Sequence, residues 1–320
     1  MRWNLHGLVI EGMTNDALLH DHWQRSFASC LAATGSPDLS FALDIVSEVP
    51  PRPSREPQFR QGDLLEYTLD GRTAIAHFPR FGQLRLDLAS GTTEGQIVSA
   101  ALSTYGVFED LVAIGLSPHL RRRGLFLIHA FAATSPPSPH AGRGSGGGVL
   151  LVGGMGSGKT TTGMAWLNAG WKLLSNDSPI INASAEVLSY PGLLAAYPET
   201  FARFEATTEL AKTAPDVDGR QKLTIAAEQI WPDVWIDRAA AGAIFFPQIE
   251  SRPDHTVESI APPEALRRLL PHAVEQWDRE MIPEHLKVLR QLVESAPAYL
   301  LRLGPDVTAL PTLLADLLSR

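Results

Sequence analysis

Residues 150–181 read LLVGGMGSGKTTTGMAWLNAGWKLLSNDSPII, and the architecture of the chain turns on them. Within this stretch Gly153, Gly154, Met155, Gly156, Ser157, Gly158, Lys159 and Thr160 spell GGMGSGKT, a full match to the P-loop pattern G-x-x-x-x-G-K-[ST]. The flanks suit it. Residues 149–152 are an apolar run that predicts a buried strand, and TTGMAWLNA at 161–169 predicts a helix continuing from Lys159. The four glycines permit positive φ and close backbone approach. Successive N–H groups, including that of Thr161, then point at an anion, and the helix dipole adds to the attraction. Lys159 supplies a cation for β- and γ-phosphates, and the Thr160 hydroxyl is a ligand for Mg²⁺.

Bulk composition narrows the alternatives. The chain has 320 residues, 44% apolar and 19% charged, enough for one large or two modest globular domains. A net charge of −8 provides no basic field for nucleic acid or an anionic membrane. Three consecutive arginines, Arg121, Arg122 and Arg123, read as a solvated turn before a strand. Cys30 is the one cysteine, which rules out an intrachain disulfide and a cysteine-rich zinc site. Its small, apolar surroundings suggest a packed thiol. No run of about 20 apolar residues suggests a membrane span, and the start lacks a signal-peptide pattern, so a cytoplasmic location is expected.

Residues 1–120 read as a separate, mixed α+β unit. Strands are expected at 8–10, 43–46, 64–69, 74–78 and 84–88, with a hairpin turn at Asp70-Gly71. Residues 16–33 predict a helix with Leu18, Leu19, Trp23, Phe27 and Leu31 on one face, and 97–105 predict another. Residues 121–320 form the second expected domain. Its strand at 124–133 is interrupted by His129, and a Pro- and Gly-rich loop at 134–148, with a solvent-exposed His140, leads to the glycine motif. Further strands are predicted at 173–181, 186–188, 222–225, 241–247 and 299–303. Helices are predicted at 198–211, 263–270, 284–295 and 310–318. This alternation indicates an α/β architecture.

Asp177 sits where the apolar run 173–181 breaks. An acidic residue at such a strand end reaches the metal or its water in P-loop sheets, so Thr160 and Asp177 are the expected metal ligands. Lys159, Asp177 and His129 make up the expected catalytic set. Arg220 and Lys222, on a charged loop over 214–220 and just beyond it, are weaker candidates for phosphate contact. Trp231, Trp235, Phe245 and Phe246 read as core.

These features together resemble the kinase domain of the HPr kinase/phosphorylase family. The resemblance is carried by His129 in LFLIHAFAA, the glycine motif one loop later, the early acidic segment GWKLLSNDSPII, and the AIFFPQI strand ahead of leucine-rich helices. It covers residues 121–320 and says nothing of the first 120. It implies a fold similar to phosphoenolpyruvate carboxykinase, with ATP and Mg²⁺ as cofactors. It also implies an acidic pair that binds metal and activates a serine hydroxyl. Asp177 matches the second acid, while Asn176 stands where the family has the first.

The expected function is transfer of the γ-phosphoryl group of ATP to a hydroxyl of a protein, peptide or small metabolite. The alternative is an ATP-binding regulatory or scaffold protein with little transfer, which Asn176 favours. Family relatives often assemble, so a homo-oligomer is among the expected partners. A GTPase is disfavoured by the missing N-K-x-D segment, and a nucleic-acid motor by the acidic charge and the lack of helicase-like motifs.

Overall fold

The computed structural model describes residues 1–136, 147–212, 222–251 and 253–318. His140, Arg220 and the charged loop 214–220 lie outside the described residues. The protein is mixed α/β, built on large mixed sheets. It divides into two compact units. The first comprises Met1–Gly124 with Glu275–Ile282, and the second Leu125–Val274 with Pro283–Arg320.

In the first unit, nine strands form one sheet in the order Leu31–Ala32, Arg2–Leu5, Leu8–Met13, Leu39–Val46, Thr92–Val98, Gly82–Asp87, Thr73–Phe78, Leu65–Asp70 and Phe59–Gln61. The Asp70-Gly71 hairpin is present, with Gly71 at φ +61°. Trp23, Phe41 and Phe108 meet edge to face in the core. Gly115 lets the helix Val107–Arg121 lie close to the sheet, since a Cβ there would stand 2.6 Å from the Phe41 ring.

Three expectations fail here. The first helix is only Ala17–Ser26. Leu19, Trp23 and Phe27 are buried, but Leu18 is 67% exposed, and Leu31, 78% exposed, belongs to an edge strand. The predicted helix at 97–105 is instead the end of strand Thr92–Val98 followed by the single turn Ala100–Ser103. Thr92–Val98 alternates buried and exposed residues, a period-two pattern spread over Thr, Glu and Gln that carries little apolar signal.

The arginine triplet is the third correction. The helix Val107–Arg121 runs into it, and Arg121 is only 3% exposed. Its guanidinium pairs with Asp278 at 2.8 Å and Glu275 at 2.8 Å. Arg122 also bonds both oxygens of Asp278 at 2.9 Å, and the Ser117 hydroxyl donates to Glu275. Burial opposes the charge on both carboxylates, but the arginines outweigh it and hold Glu275 and Asp278 below the usual carboxylate range. The partners lie over 150 positions away, so no local pattern could reveal them.

In the second unit, the sheet runs Leu125–Leu127, Ile180–Asn182, Glu186–Leu188, Arg238–Ile249, Gly148–Val152, Ala130–Thr134 and Lys172–Ser175. Ala298–Leu303 pairs in parallel with the long strand Arg238–Ile249 and antiparallel with Thr256–Ile260. The helix Lys159–Asn168 covers one face. Its Met164, Trp166 and Leu167 share a core with Phe131, Val149, Leu151 and Phe245. Gly163 makes this possible, because a Cβ there would sit 2.4 Å from the Phe131 ring. Phe246 is buried as expected, whereas Trp231 and Trp235 are half-buried at the margin of this core. The predicted strands at 124–133 and 173–181 are each split in two, at His129 and at Asn176–Pro179 respectively. The predicted helix at 198–211 is three short turns, Pro198–Phe201, Glu205–Thr207 and Thr208–Ala211. Among the described residues no helix is long and apolar enough to cross a membrane.

Two measurements test the first unit. Asp278→Asn leaves buried Arg121 short of its counter-charge, and chemical denaturation should show a loss of about 3–5 kcal/mol. His119, buried on the same helix, bonds Thr93 Oγ1 at 3.0 Å. Burial first, then Arg123 and Arg122, lower its pKa to about 4. The unfolded chain therefore takes up the proton first as pH falls. Stability present above pH 6.5 is lost on descent towards pH 4, by about 3 kcal/mol at roughly 1.4 kcal/mol per pKa unit. His119→Gln, which keeps a donor for Thr93, should flatten that part of the stability–pH curve.

Candidate functional site

Strand register assembles the site. Ala130–Thr134 is antiparallel to both of its neighbours, Gly148–Val152 and Lys172–Ser175. Ala130 lies opposite Val152, and Ala132 opposite Ser175. The residue before the central strand and the residues after the two flanking strands therefore share one sheet edge. Those residues are His129, the glycine loop from Gly153, and Asn176-Asp177.

The loop passes into the helix through Gly158 at φ +99°, with Gly156 at φ +79°. Gly153 and Gly154 do not use the positive φ that glycine permits. Gly153 is needed for space, since a Cβ there would meet Ser157 Oγ at 2.7 Å. Gly154, Met155 and Gly156 are exposed. Thr162 N–H donates to Gly158 O at 3.0 Å. The N–H groups of Lys159, Thr160 and Thr161 precede the first available i−4 carbonyl and are free to face an anion.

Lys159 turns back across this loop. It is 8% exposed, and its Nζ donates to the carbonyls of Gly153 and Gly154 and meets His129 Nε2 at 3.2 Å. None of these three partners is a carboxylate. Burial lowers its pKa, the Asp177 charge pulls it back up, and Lys222 pushes it down. His129 Nδ1 lies 3.2 Å from Asp177 Oδ2. An ammonium offers only protons, so Nε2 accepts from Lys159 and the ring proton sits on Nδ1, facing the carboxylate. The three expected catalytic residues thus form one chain, Asp177–His129–Lys159. His129 and Asp177 are open to a ligand, with side chains 43% and 53% exposed.

Backbone bonds fix the pair. His129 N–H donates to His272 O at 2.7 Å, and Ala130 N–H to Asp177 O at 2.9 Å. His272, on the short turn Leu270–His272, escaped the sequence reading. Its ring centroid is 6.2 Å from that of His129, and burial, His129 and Lys159 all lower its pKa. Only tertiary structure brings it here. Thr200 was also missed, its hydroxyl 3.4 Å from that of Thr161.

Asn176 has a structural task. Its Nδ2 donates to Leu193 O at 3.0 Å, which an aspartate could not do, while its Oδ1 is buried without a partner among the described residues. Thr160 and Asp177 remain the candidate metal ligands. Among the described residues, no group of three or more His, Cys, Asp or Glu side chains is placed to hold a metal ion.

A mostly buried ammonium bonded to two carbonyls and an imidazole, beside a glycine turn and a helix start, is a setting that an anion would relieve. No family model matches this chain, and no curated protein sequence matches it.

Two glycines of the loop should respond differently to substitution. Gly158→Ala forces a positive φ on a side chain whose Cβ would stand 2.6 Å from Leu303 Cδ1. Thermal or chemical unfolding should show a cost of about 1–3 kcal/mol. Gly154→Ala meets nothing within 4 Å and should unfold like the parent protein.

Proposed function

We propose that this protein is a Mg²⁺-dependent ATP phosphotransferase of the HPr-kinase-like type, delivering the γ-phosphoryl group to a hydroxyl on a protein, peptide or small metabolite. The observation that carries this reading is the chain Asp177–His129–Lys159 at the mouth of the glycine loop. A P-loop motif alone fits many NTPases. A carboxylate–imidazole pair in contact with the motif's own lysine adds a group able to handle the acceptor's proton.

In this reading, residues 153–161 wrap the phosphates. Lys159 leaves the loop carbonyls and neutralises charge on the γ-phosphoryl oxygens. Thr160 and Asp177 would hold Mg²⁺, whose chemistry is to screen the phosphates and fix their orientation. Asp177, paired with His129, takes up the proton of the incoming hydroxyl. Positioning and electrostatics supply most of the acceleration in such transfers, so a small set of residues suffices. A fold similar to HPr kinase and phosphoenolpyruvate carboxykinase, and a cytoplasmic location, go with this reading as expectations.

The second reading is an ATP-binding regulatory or scaffold protein. It is favoured by one observation: Asn176 is committed to Leu193 O and gives the site no second carboxylate.

Labelled ATP with Mg²⁺ and cell extract separates the two. The phosphotransferase transfers label, and both Lys159→Ala and Asp177→Asn abolish the transfer. Tight binding without transfer supports the regulatory reading. Thr160→Ala should weaken Mg²⁺-dependent nucleotide binding by about tenfold or more, on the scale of a hydrogen bond to a charged group. Unchanged binding would remove Thr160 from the metal site.

A further inference from the structure

We propose that His129 carries the phosphoryl group covalently, as an Nε2-phosphohistidine, between the nucleotide and the acceptor. This rests on the phosphotransferase reading above and specifies its chemistry.

The argument starts from which nitrogen is free to react. Asp177 Oδ2 holds the Nδ1 side of the ring at 3.2 Å. The Nε2 lone pair therefore points away from the carboxylate and towards Lys159 Nζ, 3.2 Å distant. In a P-loop that lysine reaches the β- and γ-phosphates, so its neighbour lies beside the transferable group. When Lys159 turns to the phosphates, the Nε2 lone pair loses its present partner and faces Pγ.

The ring is held for this. The bonds His129 N–H to His272 O and Ala130 N–H to Asp177 O clamp the backbone on both sides of the side chain. The break between strands Leu125–Leu127 and Ala130–Thr134 leaves the ring 43% exposed at the sheet edge, not packed in the core. A carboxylate on the Nδ1 proton makes Nε2 a better nucleophile and stabilises the cationic ring that forms.

Asn176 supplies the chemical motive. A hydroxyl must lose a proton to attack, and a site with two carboxylates can divide metal binding from proton removal. Here Asn176 is tied to Leu193 O, and one oxygen of Asp177 faces His129. An imidazole nitrogen attacks through a lone pair and releases no proton, so the difficult nucleotide step needs no base.

The two steps balance. In the first, the Nε2 lone pair forms the N–P bond while the bond from Pγ to the bridging oxygen breaks, its electrons leaving on ADP; the Nδ1 proton stays on the ring. In the second, the acceptor oxygen forms an O–P bond and the N–P electrons return to Nε2. The hydroxyl proton goes to the Asp177 carboxylate and from there to solvent.

The test uses the full chain with Mg²⁺ and γ-labelled ATP, without acceptor. Nucleotide binding is followed in parallel with a fluorescent ATP analogue. The expected result is label on the protein that survives alkali and is lost in acid, mapped to His129 by mass spectrometry. Exchange of labelled ADP into ATP should accompany it. His129→Gln should reduce both by at least about 100-fold. If this variant fails to fold, the map on the parent protein still decides. Nucleotide binding with neither label nor exchange overturns the histidine carrier and leaves direct transfer standing. Label on any other residue also overturns it. Absence of nucleotide binding overturns the carrier together with the reading beneath it.

Discussion

The second unit depends on one constraint of strand direction. A strand antiparallel to both neighbours begins where they end, so the residue before it and the residues after them must share an edge. Ala130–Thr134 is that strand. Its register brings together His129, the loop after Val152, and Asp177, drawn from segments 24 and 48 positions apart in the sequence. Packing behind the edge keeps it in place. Phe131 fills the space that Gly163 leaves open, which holds the helix carrying Lys159 against the sheet.

The protein buries cations in two contrasting ways. Arg121 is enclosed by Glu275, Asp278 and Ser117, with its charge answered by carboxylates at hydrogen-bond distance. Such a cluster is complete, and removing a member leaves an unpaired charge. Lys159 is nearly as buried, but its hydrogen bonds end on two carbonyl oxygens and one imidazole nitrogen. The Asp177 charge acts on it, but the Asp177 carboxylate is bonded to His129. The first arrangement reads as architecture. The second reads as a place prepared for a negative ligand, and the proposed phosphotransferase chemistry is built on that difference.

Histidines illustrate how context divides a single residue type. His119 is sealed in the first unit against Thr93, its pKa driven down by burial and by arginines. His129 stands at an open edge between a carboxylate and an ammonium. In the sequence His119 lies between Pro118 and Leu120 and His129 between Ile128 and Ala130, so the immediate neighbours alone do not separate a sealed histidine from an exposed one.

Local chemistry was legible without coordinates. The glycine motif, its strand and helix, the hairpin at Asp70-Gly71 and the closing helix Leu310–Leu318 follow from short-range steric and periodic rules acting within a few residues. So did the candidates Lys159, Asp177 and His129, each marked by a break in an apolar run or by the motif itself. Tertiary structure alone decided the rest. It determined that Arg121 is buried, because its partners lie beyond residue 270. It determined that, of the four glycines in the motif, Gly156 and Gly158 use positive φ and Gly153 and Gly154 do not, because the path of the loop depends on what its ends pack against. It brought His272 to His129 and set Asn176 against Leu193, since a hydrogen bond between distant segments leaves no trace in the periodicity of either.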